Sequence, residues 1–569
     1  MLQISSGKFF DAKDCWETPH RGVFYTNCSF IEQDPIVTLV GSILPVKRSG
    51  DLRVMTFEVS ERLPKMPGGP HAGEQIASNG DSLIQDFSAI LSFGLKAIVT
   101  PDQYLGQRLL FADRPALGMD ALPGQYVSRI FDKEIRFQSA EIADIQAFIV
   151  TLIGLGRKHY SAALRAIQRY VTAMHRLADD LELAYTLLVA SIESLAQEFD
   201  EFTPTWSDYD PAKRKRIDTA LGNASVEDAD SVRRAILGIE HIAAGKRFRE
   251  FTMGHLPPSF FRRDATNQTS PAGRADLNIA LRSAYDIRSK YVHTLTPLPK
   301  NLKGMPGYND LMILDGSPTL TFQGLSRVAR QIIHEFVEHS PQVDHESYAF
   351  EQDIPGRLTL QLAPSMWIHL ADRLTVSNAR EFLNGYLALL TGCFMHGQDQ
   401  RSDLRPVLRK IESLVPGVNK PQQRMPMLTL YYLFSNTCPP ELHPVSQKFL
   451  LSYYRDYFSP SIEGLLVHLW SEAKPIWSIE ESDHLLHMYM AQRYHKNGLN
   501  AGPLFGAWMA LYVAELRRGS GNEDRCRELV SEAVENFPGM KGLSELETKI
   551  KTGPIPQIDI DTLLLPAKK

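Results

Sequence analysis

The chain has 569 residues, 43% of them hydrophobic and 22% charged, with a net charge of −5, a pI near 6.4 and a mean hydropathy of −0.20. This composition is ordinary for a folded protein and excludes wholesale disorder, and the negative balance excludes a global positive field that would draw in nucleic acid. Any RNA contact must therefore be local, and a length beyond the reach of one hydrophobic core gives an expectation of three or four folding units.

The opening stretch, MLQISSGKFFDAKDC, carries no basic region followed by an apolar run, and no segment approaches the roughly 18 uninterrupted apolar residues of a membrane span. A cytoplasmic protein without membrane contact is expected. The five cysteines, Cys15, Cys28, Cys393, Cys438 and Cys526, are scattered and form no CxxC pair, so they suggest neither a disulfide framework nor a zinc ribbon. GVFYTNCSF, PIVTLVGSILPV and LRVMTFEVS are rich in β-branched and aromatic residues and are separated by polar turns, which predicts strands. KMPGGPHAGEQIASNG reads as a loop, and DSLIQDFSAILSFGLKAIV resumes with helical spacing. Residues 1–138 are expected to form an α+β domain.

From about Ser139 apolar residues recur every three or four places, most clearly in SAALRAIQRYVTAMHRLADDLELAYTLLVASIESLAQEF. Strand signals nearly vanish. GRADLNIALRSAYDIRSKYVHT continues the pattern, the proline-containing TLTPLPKNLKGMPGYND breaks it, and LSRVARQIIHEFVEHS restores it. A helical bundle over 139–342 follows. Beyond a short patch of strand character around RLTLQLAP, helix pairs close on Pro416, Pro460, Pro503 and Pro538, spaced by 44, 43 and 35 residues. Such periods predict an α-helical domain over 343–569, either a solenoid somewhat like tetratricopeptide repeats or an irregular helical domain. The fold class is thus mainly α, with an N-terminal α+β domain and a repeat-like C-terminal domain.

Laid on an ideal helix, Asp276–Val292 puts Leu277, Leu281, Ala284 and Tyr291 on one stripe, with Arg288 in its middle. A guanidinium cannot be neutralised at ordinary pH, so on such a stripe it demands an acid, a phosphate or a second protein surface. His293, five residues on, lies about 140° away around the helix. The two could still cooperate if the helix ended just before His293, as TLTPLP suggests, or if two copies of the helix faced each other about a two-fold axis.

R-x4-H near a helix end, preceded by Tyr285 and read as YDIRSKYVH, resembles the HEPN superfamily, particularly its ApeA-like branch. LLVASIESLAQEF, which contains Glu193, is similar to the helix that packs beside that motif, and Ser326–His339 resembles the last helix of the bundle. The resemblance covers roughly residues 140–342 and implies a dimeric, metal-independent endoribonuclease. The residue types suit that chemistry. Cleavage through the RNA's own 2′-hydroxyl needs a group that moves protons near neutrality, which His293 offers, and a fixed cation on the phosphorane, which Arg288 offers. Tyr285, Glu193, Ser289 and Lys290 would support the pair. Ser289 departs from the Asn, Asp or His often found after the arginine, but serine is similar to the ApeA-like branch. No tyrosine stands two places after His293, which disfavours the variant paired with nucleotidyltransferases.

Between Glu201 and Lys300, sixteen Lys plus Arg stand against twelve Asp plus Glu, with basic runs at Lys213–Arg216, Lys246–Arg249 and Phe260–Arg263. Lys246, Arg247, Arg249, Arg262 and Arg263 are candidate RNA contacts, because cations interleaved with aromatics suit a single strand. Solvated helix faces are the competing reading. No cofactor and no metal are expected: the spacings of Cys393 with His396, Cys438 with His443 and His484 with His487 are too loose for a zinc site. The expected partners are RNA, with tRNA and mRNA both open, a second copy of the chain or a larger assembly, and a phage or host protein as trigger. The resemblance implies anti-phage defence by abortive infection. Two alternatives stay open: Arg288 paired to a carboxylate such as Glu193 with His293 as a helix cap, and a non-catalytic HEPN scaffold for dimerisation or RNA binding whose working surface is the helical repeat.

Overall fold

The computed structural model describes the chain except for residues 11–12, 32–33, 50–51, 65–79, 201–204, 210, 240–243, 355–361, 397–402, 439–441, 443–445, 472, 552 and 566–569. Most of the glycine-rich loop, the RLTLQLAP patch and His443 lie outside the described residues. The protein is mainly helical, with a small sheet near its amino terminus. It divides into two compact units, Met1–Leu358 and Thr359–Lys569. No helix among the described residues is long and apolar enough to cross a membrane.

In the first unit the three strand-like stretches form β1 (Cys15–Thr26), β2 (Cys28–Phe30), β3 (Ile36–Val37), β4 (Gly41–Ser49) and β5 (Leu52–Pro64). With β6 (Val99–Thr100) they give a five-stranded sheet of order β3-β4-β5-β1-β6, while β2 pairs in parallel with β7 (Ile135–Phe137). β1 and β5 run antiparallel from Cys15 opposite Pro64 to Thr26 opposite Arg53. Every second residue of β5 from Met55 on is buried, as the two-residue period of a strand with one covered face requires. The cover is α1 (Asp81–Leu95): Phe24 stacks on Phe57 at 4.2 Å and meets Phe87 of α1 at 6.1 Å.

The bundle begins with α2 (Ser139–Gly154), α3 (Arg157–Arg176) and α4 (Leu181–Phe199). The turn between α3 and α4 is closed by Asp180, whose carboxylate accepts the Leu183 N–H at 2.8 Å as an N-cap. Three shorter helices follow, α5 (Pro211–Ala220), α6 (Val226–Ile239) and α7 (Ala244–Gly254), then α8 (Arg274–Thr294), a hairpin of β8 (Leu311–Leu314) and β9 (Ser317–Leu320), and α9 (Phe322–His339). α9 packs on α3 and α4, while α8 lies against α4, α7 and β9. Phe93 of α1 meets Tyr170 of α3 edge-on at 5.4 Å. One continuous apolar core thus runs from Leu2 through the sheet and α1 to Val337 of α9, so residues 1–138 and 139–342 share it.

The second unit is helical, as its spacing predicts. The four prolines mark helix ends: Pro416 follows Arg405–Leu414, Pro460 precedes Ile462–Ser471, Pro503 opens Gly502–Gly519 and Pro538 follows Glu523–Asn536. In an open solenoid each pair touches only its neighbours. Here Ala379–His396 packs on both Pro421–Thr437 and Gly502–Gly519. Helices distant in the chain thus share one apolar core in this unit.

Candidate functional site

α8 starts after Pro271 and Gly273, with Asp276 in its first turn where a negative charge complements the helix dipole. Its first half is its root: Leu277, Ala280, Leu281 and Ala284 are all buried. No residue of its second half is fully buried. The helix does not stop before His293. It runs through Thr294 and ends at Leu295, a non-glycine residue in left-handed backbone (φ 52°), whose N–H donates to the Tyr291 carbonyl at 2.9 Å. Capping by backbone carbonyls carries the helix one residue past the imidazole, so the expected early end is corrected and His293 is not itself the cap.

Arg288 faces α4, as the apolar stripe required, and pairs with Glu193 through Nη2 and Oε2. The Glu193 side chain is 6% exposed and that of Arg288 20%. The other carboxylate oxygen of Glu193 accepts from the Tyr285 hydroxyl at 3.2 Å and from the Gln197 amide at 3.2 Å. The Arg288 guanidinium also lies 5.7 Å from the centre of the Tyr285 ring. Burial, and next the Glu193 carboxylate, push the Tyr285 phenol up to about 12, so it remains a donor at any working pH. α7 walls the cluster: Phe248 meets the Tyr285 ring at 5.6 Å, and a Cβ on Gly245 would sit 2.9 Å from that ring. Only glycine lets the backbone of α7 come this near.

His293 sits in the last turn of α8, exposed to solvent, between Val292 and the terminal Leu295, both of which are exposed as well. On an ideal helix five residues span about 7.5 Å along the axis and about 140° around it, so Arg288 and His293 of one chain point apart. Ser289 is half-buried beside Arg288, and Lys290 is exposed. The structure therefore brings Arg288, Tyr285 and Glu193 together and leaves His293 outside that cluster. Gln197 and Gly245 join the cluster without being among the candidates from sequence. Gln197 could have been found from its place one turn beyond Glu193 on the same helix; the sequence gives no sign of Gly245's role.

The basic candidates are spread over α7 and the turns that follow it. Lys246 bonds Asp208 at 2.9 Å, and this contact, with help from Thr205, draws the Asp208 carboxyl down to about 2. Arg247 lies 3.9 Å from Asp200, and Arg249 is half-buried. Arg262 donates to the Pro258 carbonyl at 2.9 Å, and the exposed Arg263 lies 3.3 Å from Asp264. Lys246, Arg247 and Arg263 thus already have carboxylate neighbours. Any phosphate here competes with them.

No family model matches the chain, and neither a curated protein nor a solved structure does. The HEPN resemblance consequently rests on YDIRSKYVH and the helices around it.

The carboxylate at the centre of the cluster gives a stability prediction. Glu193→Ala would strip an acceptor from Tyr285 and Gln197 and the counter-charge from Arg288, and should cost about 1–3 kcal/mol in urea unfolding. Tyr285→Phe removes one donor alone and should cost about 1 kcal/mol.

Proposed function

We propose that the chain is a metal-independent endoribonuclease of the HEPN type that acts as a homodimer. The observation that supports this best is the division of roles along α8: Arg288 is held against the bundle by Glu193, while His293, in the last turn, is exposed. In the proposed reaction His293 takes the proton of an RNA 2′-hydroxyl as the 2′-oxygen bonds to phosphorus. The bond from phosphorus to the 5′-oxygen then breaks as that oxygen takes a proton, from the imidazolium formed in the first step or from water, leaving a 2′,3′-cyclic phosphate and a 5′-hydroxyl. Arg288, oriented by Glu193 through Nη2, offers its other amino group to the developing charge, while its Nε is buried. Because Arg288 and His293 of one chain point apart, the pairing of two α8 tips, flanked by exposed Val292 and Leu295, would supply the missing proximity. Abortive infection is the role that the resemblance adds by analogy.

A second reading has one observation in its favour: Arg288 already has a partner in Glu193, as a purely structural arginine would. On that reading the bundle dimerises or binds RNA without cutting it. Incubation of the purified chain with RNA in EDTA, followed by end-group analysis, decides between them. The enzyme reading expects 2′,3′-cyclic phosphate and 5′-hydroxyl ends; intact RNA bound by a dimer would support the scaffold.

A further inference from the structure

A separate cavity of about 440 Å³ opens in the first unit between the end of α1, α2 and α9. Its volume falls within the roughly 300–1,000 Å³ usual for small-ligand sites. Three cations line it: Lys96, just past the end of α1, Arg129, and Arg330 from α9. None belongs to the α8 motif.

Capping explains one of the three. The Arg330 guanidinium donates to the Phe93 and Gly94 carbonyls at the end of α1 and lies over the Phe93 ring at 4.7 Å. Cations are favoured at that end of a helix. Lys96 is the C-cap residue of α1, but that role uses its backbone and leaves its ammonium unexplained, and no cap accounts for Arg129. Both hold left-handed backbone, with φ of 51° and 67°, which a lysine or arginine adopts only at a cost. Both bring positive charge to a place where Arg330 already supplies it.

The acids of the lining do not resolve this crowding. Glu141 pairs with Arg129 at 2.9 Å, Glu338 pairs with His334 at 3.1 Å, and Asp144 is exposed. The Lys96 ammonium makes no ion pair or side-chain hydrogen bond among the described residues. The neighbouring Arg330, and next its burial, hold its pKa down to about 8. A bound anion would relieve the repulsion. Phe137, Ile145 and Phe148 complete the wall, with His334 stacked on Phe148 at 5.2 Å, so the cavity also offers an apolar, partly aromatic surface.

We infer that this cavity binds a small phosphorylated molecule of about mononucleotide size, its phosphoryl group set against Lys96, Arg129 and Arg330 and its remainder against Phe137, Ile145 and Phe148. A phosphoryl group suits the site better than a carboxylate, because it carries more charge and more acceptor oxygens to share between an ammonium and guanidinium forks. The inference stands apart from the ribonuclease reading.

Isothermal titration calorimetry of the full chain tests it, with adenosine 5′-monophosphate, pyrophosphate and adenosine as probes. The two phosphorylated probes should bind and adenosine should not. Lys96→Asn and Arg129→Asn remove charge but keep a residue at ease in left-handed backbone, and each should weaken binding of the monophosphate by about tenfold, the loss of one charge-assisted contact. Lys96→Gly, which makes no backbone demand, repeats the test should an asparagine variant fold poorly. Absence of heat with the monophosphate, adenosine binding as tightly as the monophosphate, or unchanged affinity in a folded Lys96 variant would each overturn the assignment.

Discussion

His293→Ala should lower RNA cleavage by about 10²–10⁴-fold, the usual contribution of a positioned acid or base, while leaving the unfolding midpoint where it was. The two halves of this expectation come from different facts. The imidazole is exposed in the last turn of α8 and packs into no core, and surface substitutions of that kind usually change stability by less than about 0.5 kcal/mol. Arg288→Ala should behave differently, losing activity and stability together, because it leaves the nearly buried Glu193 without its cation. Cleavage assays and urea unfolding on the same preparations separate the two effects. Cleavage surviving in the His293 variant would place the proton transfer elsewhere.

The largest loss of stability is expected from Asp310→Ala, about 3–5 kcal/mol by urea unfolding of the full chain, because it would leave a mostly buried guanidinium without its counter-ion. Asp310 is 1% exposed and pairs with Arg327 of α9, whose Nε lies 3.1 Å from both carboxylate oxygens. The same carboxylate accepts the Ala272 N–H at 2.8 Å, two residues before α8 begins, and Arg327 lies over the Phe260 ring at 3.8 Å. The backbone of Asp310 joins in: its N–H donates to the Ser270 carbonyl at 3.0 Å and its carbonyl accepts from Thr321 at 3.1 Å. One carboxylate therefore ties the entry of α8 to α9. Its loss should also reduce cleavage, by loosening the root from which Arg288 and His293 project. Asp310→Asn, which keeps the shape but not the charge, should fall between wild type and the alanine variant.

How much of this could be read beforehand depended on whether a single period governed the stretch. Leu277, Leu281, Ala284 and Arg288 announce one face of α8 because a helix repeats every 3.6 residues, and the structure buries the first three and turns the fourth toward Glu193. The strands of the sheet were legible for the same reason, through alternation. The end of α8 was not, since proline at 297 bounds a helix only to within a turn and the stop is made by backbone bonds around Leu295. The hairpin of β8 and β9 has only a short local signal, Asp315 and Gly316 in left-handed backbone between LMIL and SPTL, a recognised turn pair. The cavity cations were invisible for a different reason: Lys96, Arg129 and Arg330 are far apart in the chain, and only the tertiary fold brings them together.

The contrast between the two halves of α8 also bears on how readily the chain can change. Four buried side chains at its base, and Tyr285 and Arg288 bound to Glu193 above them, leave little room for substitution, whereas the exposed last turn can accept new side chains at small cost to folding. Variation should therefore accumulate around His293, at Val292, Thr294 and Leu295, where selection can alter whatever the tip touches while the scaffold beneath stays fixed.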